Sequence, residues 1–294
     1  MAGAAIFLTE GLMANEQQHT NEKIVVPERR LGRMPAKVSR KALQFSDFFQ
    51  FIKIPKHCIY WQKKPALPPR SFGNTQLGDC TRAKQAMAIL RMEELEQHKL
   101  INITDEEVIR VYEDMENRLY GGGDQGAYEE DALDQWRKED TTIRDDQGHP
   151  YTIDAYLRID AQNHDQMKAA LALAEAKGIA ICLNLPAAWQ GVDPPAHWDV
   201  PPDKQFTGQW MAGSWGGHSM WANGYSEEGV YVDDTWGLPN RLVTWDAMGA
   251  YCDEAHLVID SIDSWRKKST SDVGHLNLEQ VVDAVNGVSS KKIE

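Results

Sequence analysis

Apolar and polar positions divide the chain into a helical part followed by a strand-rich part. Cys80 to Lys99 (CTRAKQAMAILRMEELEQHK) places Ala83, Met87 and Leu90, with Ala86 and Ile89, at helical spacing, and charges fall on the other face. Thr104-Asp105-Glu106-Glu107 has the spacing of a capping box, and Val108, Val111, Tyr112, Met115 and Leu119 follow at three- and four-residue intervals. That predicts a second helix, ended by Gly121-Gly122-Gly123. A third, short helix is expected over Glu129 to Lys138, burying Leu133 and Trp136. Beyond it, Tyr151 to Ile159 alternates as a strand does. His164 to Lys177 reads as an alanine-rich helix with Gly178 as its stop, and Ile179 to Leu185 as a buried strand. His218 to Tyr225 and Gly229 to Thr235 flank Ser226-Glu227-Glu228, a β-hairpin signal. Arg241 to Thr244, a short helix near Trp245–Tyr251 and a strand over Ala255–Ile259 complete the pattern. Helices first and strands afterwards mean an α+β fold with a helical lobe and a β lobe.

The flanking segments lack this periodicity. Residues 1–40 are polar, then basic with Pro27 and Pro35, and are read as poorly ordered. The aromatic run Ala42 to Ile52 is too apolar for a linker and is expected to dock on the body, with an inhibitory prosegment as the alternative. Residues 1–55 therefore form an N-terminal arm, and 53–73 an extended connection rich in proline. The main domain spans 56–265, with a helical lobe near 74–145 and a β lobe near 150–262; 266–294 is expected to be a peripheral tail. Residues 186–217 form a loop rich in Pro, Gly and Trp, long enough to suggest a lid over a partly closed cleft and a small or chain-end substrate.

Composition narrows the class. The 294 residues can bury a sizeable core, and no apolar run approaches the roughly 18 residues that a membrane helix needs. The first residues lack a basic n-region, which argues against a secretory signal. Cys58, Cys80, Cys182 and Cys252 lie far apart with no CxxC pair, so neither a zinc pattern nor a disulfide scaffold is expected, and a reducing, cytoplasmic setting fits. The net charge of −13 is uneven: residues 22–70 hold twelve Lys/Arg against three Asp/Glu, and 104–146 hold fifteen Asp/Glu against five Lys/Arg. The acidic body argues against nucleic acid as a partner. The basic arm either lies along the acidic region or, as the plainer reading, both are solvated.

Candidate chemistry centres on Asn74-Thr75-Gln76-Leu77-Gly78-Asp79-Cys80-Thr81, a turn that delivers Cys80 to the start of a helix. The positive end of the helix dipole favours thiolate there, and thiolate is the nucleophile. Asp79 is read as the helix cap. A base is needed, and His218 stands out. It opens a strand after Gly216-Gly217, 138 residues beyond Cys80 and sixteen before Asp234, which a hairpin can bring within reach.

These strings resemble those of the papain-like cysteine peptidases. Gly78-Asp79-Cys80, Gly217-His218 and Asp234-Thr235-Trp236-Gly237 are similar to Gly-Ser-Cys, Asn-His-Ala and Asn-Ser-Trp-Gly, and Gly-Asn-x-x-x-Gly-Asp-Cys-Thr with Gly-Gly-His resembles a bacterial branch. The resemblance covers about residues 56–262 and implies a two-lobed fold with the active-site cleft between the lobes. It implies Cys80 as nucleophile, His218 as base and Asp234 as orienting acid, the acid favouring a thiolate–imidazolium pair. It also implies Asn74, or as second choice Gln76, as an oxyanion donor beside the Cys80 N–H. Trp236 would cover the His–Asp pair, with Trp215, Gly216 and Gly217 along the cleft. The expected activity is hydrolysis of a peptide or small amide through a thioester, with no metal and no organic cofactor. The alternatives are an acyltransferase or transglutaminase-like enzyme with the same three residues, or a catalytically silent binding module.

Overall fold

The computed structural model describes residues 29–37, 42–51, 53–60, 67, 70–173, 176–238, 240–268 and 274–288; the expectation of poor order over residues 1–40 lies outside the described residues for 1–28 and 38–40, and is corrected for 29–37, which hydrogen bonds hold in place. The elements in chain order are α1 (Phe45–Phe48), β1 (Phe49–Phe51), β2 (Cys58–Ile59), α2 (Cys80–Gln97), α3 (Asp105–Leu119) and α4 (Glu129–Trp136). They continue with β3 (Ala155–Ile159), α5 (His164–Ala172), β4 (Ile179–Leu185), β5 (Gly216–Tyr225), β6 (Gly229–Asp233) and β7 (Arg241–Thr244). The last are α6 (Trp245–Tyr251), β8 (Cys252–Ile259), α7 (Ile262–Lys268), β9 (Gly274–Leu276) and α8 (Leu278–Val288). No helix among the described residues is long and apolar enough to cross a membrane.

The fold is α+β with two lobes, as the pattern predicts. An antiparallel sheet of order β3-β8-β4-β5-β6-β7, with β2 added to β5, forms the second lobe. Alternation along its strands assigns the two faces. Ala180, Trp221 and Val258 face the helical lobe and join the core of α2 and α3, whereas Ile179, Ile181, Met220, Ala222 and Leu257 point into the core of the β lobe. The hairpin β5–β6 pairs Trp221 with Asp233 and Tyr225 with Val230.

Helix α2 differs from its expectation in an informative way. Its bounds match, but no face is solvated: Arg82, Lys84, Gln85, Arg91 and Glu94 are all buried with the apolar residues. The helix lies between the lobes, so its charges find partners there. Lys84 meets Glu129 at 2.5 Å, and Arg91 makes two bonds of 3.0 Å to Asp233 on β6. Burial drives Arg82 down to about 9.

Two expectations are corrected, for the end of α5 and for the tail. Helix α5 ends at Ala172, and Gly178 is not its stop. Gly178 instead enters β4 at φ +139, where a Cβ would lie 2.4 Å from the Ala222 carbonyl on the neighbouring strand, so close approach demands glycine. The aromatic segment docks through Phe45 in the β-lobe core, and β1 pairs with β9. The tail is not peripheral: Val281, Val282 and Val285 of α8 enter that same core.

Candidate active site

Cys80 is the first residue of α2 and is fully buried. Its cap residue Asp79 makes no side-chain cap bond, contrary to the expectation; buried beside the Asn74 amide, its carboxyl is pushed far above the ordinary range by desolvation. The main-chain N–H groups of Ser219, from β5, and Gly32, from the N-terminal arm, act to lower the Cys80 thiol. Burial outweighs these donors and pushes the thiol up to about 12, so in this form it stays protonated at neutral pH.

His218 sits on β5 next to Ser219, also fully buried, with its ring stacked under Trp236 at 4.1 Å between centroids and 17° between planes. Its Nε2 lies 2.8 Å from the Asp234 main-chain carbonyl and 3.2 Å from Thr235 Oγ1. A carbonyl only accepts, so Nε2 carries the proton and Nδ1 the lone pair. Nδ1 is buried with no hydrogen-bond partner, which leaves it as the basic atom. Burial first, then the charges of Arg241 and Arg29, bring His218 down to about 3 against the pull of the Asp234 carbonyl.

The orienting group is therefore not the expected one. The Asp234 carboxylate turns away to Arg241, with bonds of 3.2 and 3.0 Å, and accepts the Trp236 N–H at 3.0 Å. It shapes the turn that carries Thr235 and Trp236, while its main-chain carbonyl holds the imidazole. The expected thiolate–imidazolium pair, favoured by a carboxylate on histidine, has no carboxylate to favour it in this form.

Asn74 is buried and reaches the same turn: its Oδ1 accepts the Thr235 hydroxyl at 2.8 Å, and its Nδ2 donates to Leu77 O at 3.0 Å. Gln76 is exposed, and its main-chain N–H donates to Gly73 O at 2.8 Å. Thr235, which sequence reasoning missed, thus links the cysteine turn to the histidine. Its place after the aspartate in Asp-Thr-Trp-Gly was the available signal. Trp215 stacks on Trp236 at 5.3 Å, whereas Trp189 and Trp198 stack on each other in the core beside Tyr251.

The larger omission is the arm. Residues 29–34 run through the cleft between the lobes. The Arg30 N–H donates to Asn74 O at 3.2 Å, the Arg33 N–H to Gly217 O at 3.2 Å and the Met34 N–H to Ala127 O at 2.9 Å. Trp236 Nε1 donates to Arg30 O, Arg29 pairs with Asp193, and Lys37 meets Asp131 at 2.6 Å. The crossing is tight: a Cβ on Gly32 would lie 1.6 Å from the Gly78 carbonyl, and one on Gly217 2.3 Å from Arg33 O. The Gly32 N–H acts on the thiol, while the Gly32 carbonyl accepts from the Ala127 N–H at 2.6 Å. The arm therefore crosses the cleft with the Gly32 carbonyl turned to Ala127. The signal was Leu-Gly-Arg within a basic stretch, whereas the aromatic run 42–52 drew the prosegment reading.

Among the described residues, Glu130, Glu254 and His256 bring ligand atoms within 4.8 Å of one another. Arg158 pairs with Glu130 at 3.2 Å and Arg33 with Glu254 at 2.7 Å, so the charge that a cation would supply is already present.

No family model and no curated protein sequence matches the chain. Solved structures do. Xylellain, a cysteine protease from Xylella fastidiosa, is 15% identical with a TM-score of 0.58, over 81% of this chain and 99% of that one. The Carica candamarcensis cysteine protease CMS1MS2, in complex with E-64, is 16% identical with a TM-score of 0.52, over 71% of this chain and 100% of that one. With helices in one lobe, an antiparallel sheet in the other and the Cys80–His218 cleft between them, the chain has the papain-like cysteine protease fold.

Proposed function

We propose that the chain is a cysteine peptidase or amidase held latent by its own residues 29–34. The observation that carries this reading is a buried His218 whose Nε2 is fixed and whose Nδ1 is left without a partner, on the same strand as Ser219, whose main chain acts on the Cys80 thiol at the start of α2. With the arm displaced, water re-enters and the burial that holds Cys80 up and His218 down is relieved. His218 Nδ1 then takes the thiol proton. The thiolate attacks the carbonyl carbon, and the developing oxyanion faces the Cys80 N–H and the amide of Asn74 or Gln76. Collapse of the tetrahedral adduct breaks the C–N bond as the imidazolium gives its proton to the leaving amine. Water, deprotonated by His218, attacks the thioester and releases the acid. Asp234 acts through its main-chain carbonyl, and Trp236 shields that hydrogen bond.

The substrate reading changes with the arm in view. An extended chain threads the cleft on both sides of Cys80, so the substrate class is a polypeptide strand rather than only a chain end.

Iodoacetamide labelling of the full chain tests the reading. Cys80 is expected to label slowly in the native chain and rapidly in Gly32→Ala, whose side chain has no room in the cleft, with a pH profile that His218→Ala abolishes. A Gly32→Ala thiol that stays inert, or that titrates near the ordinary 8.5 regardless of His218, overturns it. That outcome leaves the binding-module reading.

A further inference from the structure

Arg33 leaves the arm beside Cys80 and buries its side chain completely in a recess of the β lobe. Nη1 donates to Asp253 Oδ2 at 3.0 Å and lies 3.3 Å from Asn184 Oδ1; Nη2 donates to Glu254 Oε2 at 2.7 Å and lies 2.9 Å from Asp253 Oδ1. Asn184 Nδ2 donates to Asp253 Oδ2 at 3.0 Å and so holds that carboxylate in place. Two carboxylates and an amide from adjacent strands β4 and β8 form a fork matched to a guanidinium. Glu254 has only 1% of its side chain exposed, and Asp253 at the rim 29%.

The recess is oriented to the reacting atoms. Arg33 donates its N–H to Gly217 O, adjacent to His218, and the preceding Gly32 packs against the main chain of Gly78, two residues before Cys80. A side chain entering the recess therefore belongs to a residue next to the point of attack. When the arm leaves, the carboxylate of Glu254 loses Arg33, its hydrogen-bonded partner, and a buried, unpaired carboxylate is costly. Its other oxygen lies 3.9 Å from His256 Nε2, which also stands 3.8 Å from Glu130. Glu130 is itself engaged by Arg158, so the emptied recess keeps an excess of acid.

Resting on the peptidase reading, we propose that this recess is the side-chain specificity pocket of the cleft, that it selects arginine in the substrate, and that Arg33 fills it in the latent form. Main-chain bonds to Gly217 would hold any extended peptide, and the recess would choose among them. Lysine enters less well, because a point charge reaches one carboxylate where the guanidinium fork reaches both.

The test uses the full-length Arg33→Ala protein, which empties the recess and weakens the arm. Hydrolysis is measured on matched fluorogenic peptides carrying Arg, Lys, Leu or Glu at each position around the scissile bond. In parallel, thermal stabilisation by N-acetyl-arginine amide is compared with that by N-acetyl-leucine amide. The expected result is kcat/KM at least about tenfold higher for Arg than for Leu at one position, with stabilisation by the arginine probe only. Adding Glu254→Gln, or Asp253→Asn at the exposed rim should Glu254→Gln fail to fold, should reduce both preferences. Cleavage without preference for Arg, or a preference that survives both changes, overturns the pocket. Stabilisation by the arginine probe without cleavage of any peptide keeps the pocket and removes the peptidase. Neither cleavage nor stabilisation removes both.

Discussion

Two buried groups of polar side chains border the same cleft and respond to burial in opposite ways. Cys80 and His218 lose their charges: the thiol is pushed up to about 12 and the imidazole down to about 3. At the start of α4, against Lys84 of α2 and Ser219 of β5, Glu129 is just as buried yet stays charged. Desolvation works against it, but Lys84 at 2.5 Å, with the Ser219 hydroxyl at 2.7 Å, holds its carboxyl below the usual range. Arg33 with Asp253 and Glu254, and Arg91 with Asp233, are further ion pairs, although desolvation still holds the Glu254 carboxyl above its ordinary range. Burial therefore does not set protonation by itself; a partner of opposite charge works against it. The arm crosses beside Cys80 and His218 with main-chain N–H groups toward the thiol, and brings the fully buried Arg33 side chain to the acids of the recess instead. The proposed latency would follow from that division.

The largest expected effect comes from breaking the dryness. Gly32→Ala should raise the Cys80 alkylation rate at pH 7 about 100-fold or more, because each pKa unit lost from the closed-form value multiplies the thiolate fraction tenfold. Stopped-flow or mass-spectrometric labelling measures it. Next comes the partnered side. Glu129→Gln strands Lys84 between the lobes and should cost about 3–5 kcal/mol, seen as a lower denaturant midpoint, whereas exchanging both for apolar residues of similar size should cost much less. Thr235→Val cuts the link from Asn74 to the imidazole. In the arm-displaced protein it should lower kcat roughly tenfold to a hundredfold with little change in KM, while Thr235→Ser restores it.

The smallest effect is on pH. Closure depresses His218 from 6.5 to about 3, so the closed state binds fewer protons than the open one, and closure weakens as pH falls below 6.5. It raises Cys80 from 9.0 to about 12, so closure also weakens as pH rises above 9. Protection of the Arg30, Arg33 and Met34 amides, taken as exchange relative to the intrinsic rate at each pH, should be greatest between those limits and fall by at most about tenfold per pH unit outside them. A flat profile would mean that the arm does not control the hydration of the pair.

Much of the local architecture was legible because it rests on short-range rules. Helix α2, the capping box before α3 and the β5–β6 hairpin follow from periodicity and turn chemistry. What escaped was decided between segments distant in the chain. The charges of α2 read as a solvated face because nothing local says that a sheet will cover them. Asp234 read as the carboxylate partner of His218 because a residue type suggests its side chain, and only the packed turn shows that Arg241 takes that side chain and leaves the main-chain carbonyl for the ring.

By itself, then, the amino-acid sequence determined the order of helices and strands and the helix-start position of Cys80. It also set the separation that lets His218 return to it, since periodicity, caps and turns act over a few residues. Tertiary structure decided what fills the cleft, which acids face Arg33, and whether the catalytic pair carries charge. Those outcomes depend on which distant groups exclude water and which supply a counter-charge, and neither is encoded within any one segment.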